Sequence, residues 1–376
     1  MPRTSDGMVK LTGLYLALVT ALAMVLATGL GRAQTPAENA GGAPAPKEGD
    51  YVVHDFHFQS GETLADVKLH YTTFGSPVKD AHGRTTNAVL ILHGTSGSGK
   101  SLLRPIFSGV LFGPGQLLDA SKYYLIVPDN VGHGQSSKPS DGMHAHFPQY
   151  DYADMVALQH ELVKGLGVNH LRLVMGTSMG CMHSWMWGET YPEEMDALMP
   201  LACLPVQIAG RNRIWRKMMI DGIRQDPDWK NGEYTTQPRA GMQISADLLF
   251  IAGSAPLHMQ QDLPVREAAD TELDKWSNRT RAEVDINDLL YAVSASRDYD
   301  PSAKLDTIQV PVMFINSADD FINPPELGIA EREIKKVKKG KFVLLPASLK
   351  TYGHGTHTHA AVWQEYLKEL LEESGR

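Results

Sequence analysis

Cysteine is nearly absent, with only Cys181 and Cys203 in 376 residues. That count excludes a disulfide-stapled scaffold and any zinc site built on cysteine pairs. Basic charge is also short: 35 Lys and Arg stand against 43 Asp and Glu, a formal net charge of −8. No basic stripe collects along the chain, so the footprint of a nucleic-acid binder is missing. No internal repeat appears, which sets aside solenoids and propellers. No H-E-x-x-H opens a zinc hydrolase.

Long uncharged apolar runs are limited to the amino terminus, where Leu11 to Leu30 follows Arg3 and Lys10. Gly31-Arg32-Ala33 then offers the small residues that a signal peptidase reads. Residues 1–33 read as a signal peptide, with an uncleaved membrane anchor as the other reading because the run is long. No cysteine stands near Ala33 and no twin-Arg pair is present, which argues against a lipoprotein. The expectation is an exported protein, periplasmic or secreted, with no stable membrane association once the signal is cut. A Pro/Ala/Gly-rich tract makes 34–50 a flexible leader.

Beyond it the chain has the 43% hydrophobic and 21% charged make-up of a globular protein with a large core. Tyr51 to Phe58 and Leu64 to Phe74 alternate like strands and predict an edge hairpin. Ala88 to His93, Tyr123 to Pro128, Leu171 to Thr177 and Ala197 to Leu204 are apolar runs suited to buried parallel strands. Asp154 to Leu166 is apolar at helical spacing, and Pro192 ends a second helix near Tyr191. Strands alternating with helices predict an α/β fold with a mostly parallel eight-stranded sheet covered on both faces. Val206 to Tyr299 shows helical pieces broken by Pro and Gly, read as a helical cap (206–299) inserted into a core of 51–205 and 300–376. Strand signals resume at Val310 to Ile315 and Lys341 to Leu345, and Ala360 to Leu371 predicts a closing amphipathic helix.

The strongest local signal is Gly176-Thr177-Ser178-Met179-Gly180, which ends an apolar run and opens a helix. This is the G-x-S-x-G nucleophile elbow: the flanking glycines let strand and helix approach, and Ser178 is lifted above the sheet edge. Its hydroxyl needs a base, and the base needs an orienting acid, in the chain order Ser, Asp or Glu, His. Asp320, four residues before a proline in the loop after the late strand, is the candidate acid, with Asp319 as the alternative. His354, in a Gly-His step, is the candidate base, with His357 and His359 close enough to compete. The H-x-x-H-x-H spacing lacks the partners of a metal site, so no metal and no cofactor are expected. The amides of Thr95 and Met179 are the candidate oxyanion donors.

Gly94-Thr95-Ser96-Gly97-Ser98-Gly99-Lys100-Ser101 also matches the P-loop pattern after a strand. Pro105, Gly109 and Gly113 to Gly115 break the helix such a loop must open, which argues against a phosphate site. In the cap, Arg211, Arg213, Arg216 and Trp215 either line a pocket for an anionic group or form a solvated basic face. Cys181 and Cys203 fall near each other in this reading and either bridge or stay as buried thiols.

Together these residues resemble the α/β-hydrolase superfamily, and more closely the homoserine O-acetyltransferase family with its hydrolase relatives. The likeness is carried by Asp154-Met155-Val156-Ala157-Leu158-Gln159, Leu166-Gly167-Val168, Gly176 to Met182, Asp226-Pro227-Asp228-Trp229, Asp320 to Glu326 and Tyr352-Gly353-His354. It implies Ser178 as nucleophile, Asp320 as acid, His354 as base, Thr95 and Met179 as oxyanion donors, and a homodimer meeting through the cap. The chain departs from the acyltransferases at Gly132-His133-Gly134-Gln135-Ser136-Ser137-Lys138-Pro139, where they carry a Gly-Ser-Thr-Gly-Pro type segment. That departure points to water as acceptor and to a serine hydrolase of a small or medium carboxylic ester. An acyltransferase, and a non-catalytic binding protein of the same fold, are the alternatives.

Overall fold

The computed structural model describes residues 44–375. The expected signal peptide and residues 34–43 of the leader lie outside them. The hairpin forms as β1 (Lys47–His57) and β2 (Thr63–Phe74), paired antiparallel. Its first strand starts at Lys47, inside the tract expected to be a flexible leader. The correction has a plain cause: β2 extends to Phe74, and Lys47 to Asp50 pair with Thr73 to His70 across from it.

Next come β3 (Ala88–Leu92), α1 (Ser108–Leu111), β4 (Tyr124–Pro128), α2 (Tyr152–Gly165), β5 (Leu173–Thr177), α3 (Met179–Thr190) and β6 (Leu198–Leu201). Five helices follow without a strand: α4 (Gly210–Gln225), α5 (Arg239–Gly253), α6 (Pro256–Asp262), α7 (Arg266–Glu283) and α8 (Ile286–Ser294). The chain then adds β7 (Val312–Ser317), α9 (Ile329–Glu333), β8 (Gly340–Leu345) and α10 (Ala360–Ser374). The sheet order is β1-β2-β4-β3-β5-β6-β7-β8; β2 is antiparallel to both neighbours and every other pair is parallel.

The pleat of each inner strand feeds two cores. Val89 and Ile91 pack on one face with Phe107 and Trp363, while Ala88, Leu90 and Leu92 pack on the other with Leu162 and Trp185. Burying each such aliphatic side chain contributes roughly 1.5–3 kcal/mol. Helix α2 starts at a capping box in which Asp151 accepts from the Asp154 amide and Asp154 from the Asp151 amide. The helical insertion carries its own small core around Trp215, Met219, Ile223, Met242 and Ile286.

Strand order decides where a site can form. From β3 the chain moves outward to β4, then crosses back over β3 to β5. At such a reversal the loops leaving the carboxyl ends of the two central strands diverge and leave a crevice between them. The loop after β3 begins at His93, and the loop after β5 is Ser178.

Candidate active site

Ser178 has φ +55° and ψ −108°, a left-handed conformation that a non-glycine residue reaches only under local constraint. Its neighbours impose it. A side chain at Gly176 would place Cβ 2.1 Å from the Gly180 carbonyl oxygen, and one at Gly180 would sit 2.2 Å from that of Leu92. Only glycine at both positions lets α3 start this close to β3 and β5. The Ser178 amide donates to Leu201 O at 2.8 Å and the Gly180 amide to His93 O at 3.0 Å, pinning the bend from both sides.

Against this hydroxyl lies His354, whose Nε2 is 2.8 Å from Ser178 Oγ; its Nδ1 is 2.9 Å from Asp320 Oδ2. With the ring proton on Nδ1 donated to Asp320, Nε2 is left to accept from the serine. Asp320 also accepts from the Ile322 amide at 2.8 Å and from Asn323 Nδ2 at 2.9 Å. Burial pushes this carboxyl up, yet the His354 charge and these hydrogen bonds outweigh it and hold Asp320 below the usual carboxylate range.

The competing residues have other places. Asp319 turns to the loop that carries the histidine: its Oδ2 accepts from Thr351 Oγ1 at 2.9 Å and from the Gly353 amide at 3.1 Å, while Ser317 Oγ donates to Oδ1. The His357 ring lies edge-on to His354, and burial with that neighbour pushes it down to about 3. His359 stacks on Tyr352 instead. Among the described residues no group of three or more His, Cys, Asp or Glu is disposed to hold a metal ion.

The loop after β3 is held by buried polar contacts that the sequence reading did not single out. His93 Nδ1 donates to Gly94 O at 2.8 Å, and its Nε2 accepts from the Asn130 amide and Nδ2, each at 3.1 Å. Gly94 O and Thr95 N–H belong to one planar trans peptide, so fixing the carbonyl on the His93 side turns the N–H the other way. Burial, reinforced by His133, pushes His93 down to about 3, so it stays neutral and keeps the accepting nitrogen free for Asn130. Gln159 extends the network, donating to Asn130 Oδ1 at 2.6 Å and accepting from Trp187 Nε1 at 2.7 Å. A glutamine on the apolar stripe of α2 was the available signal. Among the described residues neither the Thr95 nor the Met179 amide donates to a protein backbone acceptor.

The P-loop match is spent on structure. Gly99–Leu103 is a short 3₁₀ turn, not the start of a long helix. Asp129 accepts from the Gly99 amide at 2.7 Å and the Gln135 amide at 2.8 Å, so its carboxylate clamps this loop. Lys100 is exposed.

Ser178 and His354 open into a cavity of about 900 Å³ walled by Met182, Leu204, Ile208 and Met259 among others. The cap arginines divide. Arg213 is exposed away from this cavity, Arg211 is exposed at its wall with Nη2 donating to Phe321 O, and Arg216 is buried and lines the same cavity. Turning the Trp215–Met219 face of α4 inward carries Arg216 with it. Cys181 and Cys203 form a disulfide, with Cα atoms 5.9 Å apart, between α3 and the residues after β6. Closing a loop of 22 residues contributes roughly 3 kcal/mol on the chain-entropy model.

Comparison with known proteins gives a consistent picture. A family model described as alpha/beta hydrolase fold matches residues 87–348. A probable acyltransferase of Methanothermobacter thermautotrophicus is 30% identical over 279 residues, covering 74% of this chain and 84% of that protein. The solved homoserine O-acetyltransferase of Bacillus anthracis superposes with a TM-score of 0.76 at 21% identity, covering 87% of this chain and 97% of that one. An acetylester hydrolase of Corynebacterium glutamicum superposes equally well, at 0.76 and 20% identity, covering 87% and 96%.

Proposed function

The chain belongs to the α/β-hydrolase fold family and is an enzyme; from that footing we propose that it cleaves a small or medium carboxylic ester through an acyl-enzyme on Ser178. The observation that carries the reading is the continuous line Ser178 Oγ, His354, Asp320 on the wall of the cavity, with contacts of 2.8 and 2.9 Å.

In this mechanism Ser178 attacks the ester carbonyl as Nε2 of His354 takes its proton. Asp320 holds the imidazole tautomer and stabilises the imidazolium. The amides of Thr95 and Met179 receive the oxyanion, a contribution of roughly 3–4 kcal/mol per donor in comparable sites. His354 then protonates the leaving alcohol, and a water, deprotonated by the same ring, releases the acid. Asp319 serves as a clamp that ties the His354 loop to the acid loop.

Acyl transfer to an alcohol is the second reading, favoured by the names of the relatives. The Gly132 to Pro139 segment favours water. Here His133 Nε2 contacts Thr95 O at 2.9 Å, so the segment braces the oxyanion loop.

A fluorophosphonate probe is expected to label Ser178, mapped by mass spectrometry, and Ser178→Ala is expected to lose both label and turnover on a p-nitrophenyl ester panel. Labelling elsewhere, or full turnover in the alanine variant, refutes the mechanism. Product formed from acetyl-CoA only when homoserine is supplied reassigns the enzyme to transfer.

A further inference from the structure

Arg216 is 2% exposed, yet it lines the cavity that holds Ser178 and His354. Its Nε donates to Asn212 Oδ1 at 2.9 Å and its Nη1 to Ser296 Oγ at 3.2 Å, both neutral acceptors. The titratable groups that face it are Tyr152 and Arg213, and no carboxylate is among them. The buried Tyr152 hydroxyl lies beside Arg216 on one side and Thr95 on the other.

A run of buried polar groups therefore leads from the oxyanion loop to a buried cation that has no carboxylate partner. Burying a cation without an anion costs several kcal/mol. A purely structural tie from α4 to Ser296 needs no charge. The rest of the wall is largely apolar; its other charged residues are the exposed Arg211 and Glu326 and the loop acids Asp319 and Asp320, while Arg213 opens onto a separate cavity, so Arg216 is the buried positive charge of this wall.

Resting on the ester-cleaving reading, we propose that the substrate carries one carboxylate besides its ester, received by the Arg216 guanidinium. A guanidinium presents paired donors that match a carboxylate's two oxygens.

The test uses pairs of esters of like shape. Mono-p-nitrophenyl glutarate against p-nitrophenyl valerate places the charge on the acyl side. The acetate ester of 4-hydroxybutyrate against that of its methyl ester places it on the alcohol side. In one arm the native enzyme is expected to prefer the anionic member at least tenfold in kcat/KM. Arg216→Met is expected to cut that preference 10- to 100-fold, mainly through KM, with Arg216→Lys between the two. Absence of preference in both arms, or an equal loss on both members of a pair in Arg216→Met, overturns the proposal.

Calorimetric titration of Ser178→Ala with glutarate and with 4-hydroxybutyrate reads the subsite without hydrolysis. Binding of either that disappears in Ser178→Ala/Arg216→Met, and is partly kept by the lysine variant, supports it; no binding of either overturns it. If the native protein neither labels with fluorophosphonate nor cleaves any of the four esters, the hydrolase reading falls and the titration alone decides the subsite.

Discussion

Replacing His93 with leucine removes the hydrogen bond that holds the oxyanion peptide and the two from Asn130 that hold the imidazole, while keeping an apolar side chain of similar bulk. In the native chain the Nδ1 contact to Gly94 O is 2.8 Å and two donors of Asn130 reach Nε2 at 3.1 Å. Two consequences follow, and they are separable. Leaving the Asn130 donors buried without an acceptor costs about 1–3 kcal/mol of stability. Releasing the Gly94–Thr95 peptide lets its N–H drift from the position where the oxyanion forms. Outright removal of one such donor costs 10²–10³ in rate, so loosening it is expected to lower kcat roughly 10- to 100-fold. KM should stay within about threefold, because the ground-state ester makes little use of that donor. The assay is steady-state hydrolysis of p-nitrophenyl acetate, run well below the melting temperature with native circular dichroism confirmed. Asn130→Ala serves as a second variant that weakens the same brace without touching the loop. A His93→Leu enzyme that is folded and turns over within twofold of the native rate refutes the idea that this imidazole positions the Thr95 amide.

Gly180→Ala is expected to lower the melting temperature markedly and to cut esterase activity at least 100-fold, since its Cβ would meet the Leu92 backbone at 2.2 Å; unaltered melting and activity would show that α3 has slack there. Glu189 concerns pH. Burial pushes its carboxyl from an ordinary 4.5 up to about 7, with Lys304 opposing and Asp300 adding. A carboxyl raised on folding stabilises most below its unfolded value and loses that contribution as pH rises through the folded one. Because Glu189 keeps partial contact with solvent, the discounted effect is about 1 kcal/mol. Glu189→Gln should therefore match the native protein in urea melts at pH 4 and exceed it by that amount above pH 7, and a gap independent of pH contradicts the assignment.

What the sequence alone determined rests on short-range geometry. The elbow was legible because Gly176, Ser178 and Gly180 answer to contacts within one turn of chain and the strand beside it. The strands were legible because Ala88–Leu92 and Leu173–Thr177 are apolar on both faces, as only inner parallel strands are. The boundary at Lys47 was not, since it depends on how far β2 extends as a partner. Tertiary structure decided everything that turns on which way a side chain faces. Asp319 and Asp320 are adjacent carboxylates, and only the loop after β7 sends one to His354 and the other to Thr351 and Gly353. Arg211, Arg213 and Arg216 share one helix, and the packing of Trp215 and Met219 buries the last while leaving the others in water. His93, Asn130 and Gln159 come from three separate elements, and Cys181 meets Cys203 only because α3 and the end of β6 lie side by side. Residue type and local spacing specify backbone conformation through nearest-neighbour sterics, whereas partners distant in the chain are chosen by the packing of the whole core.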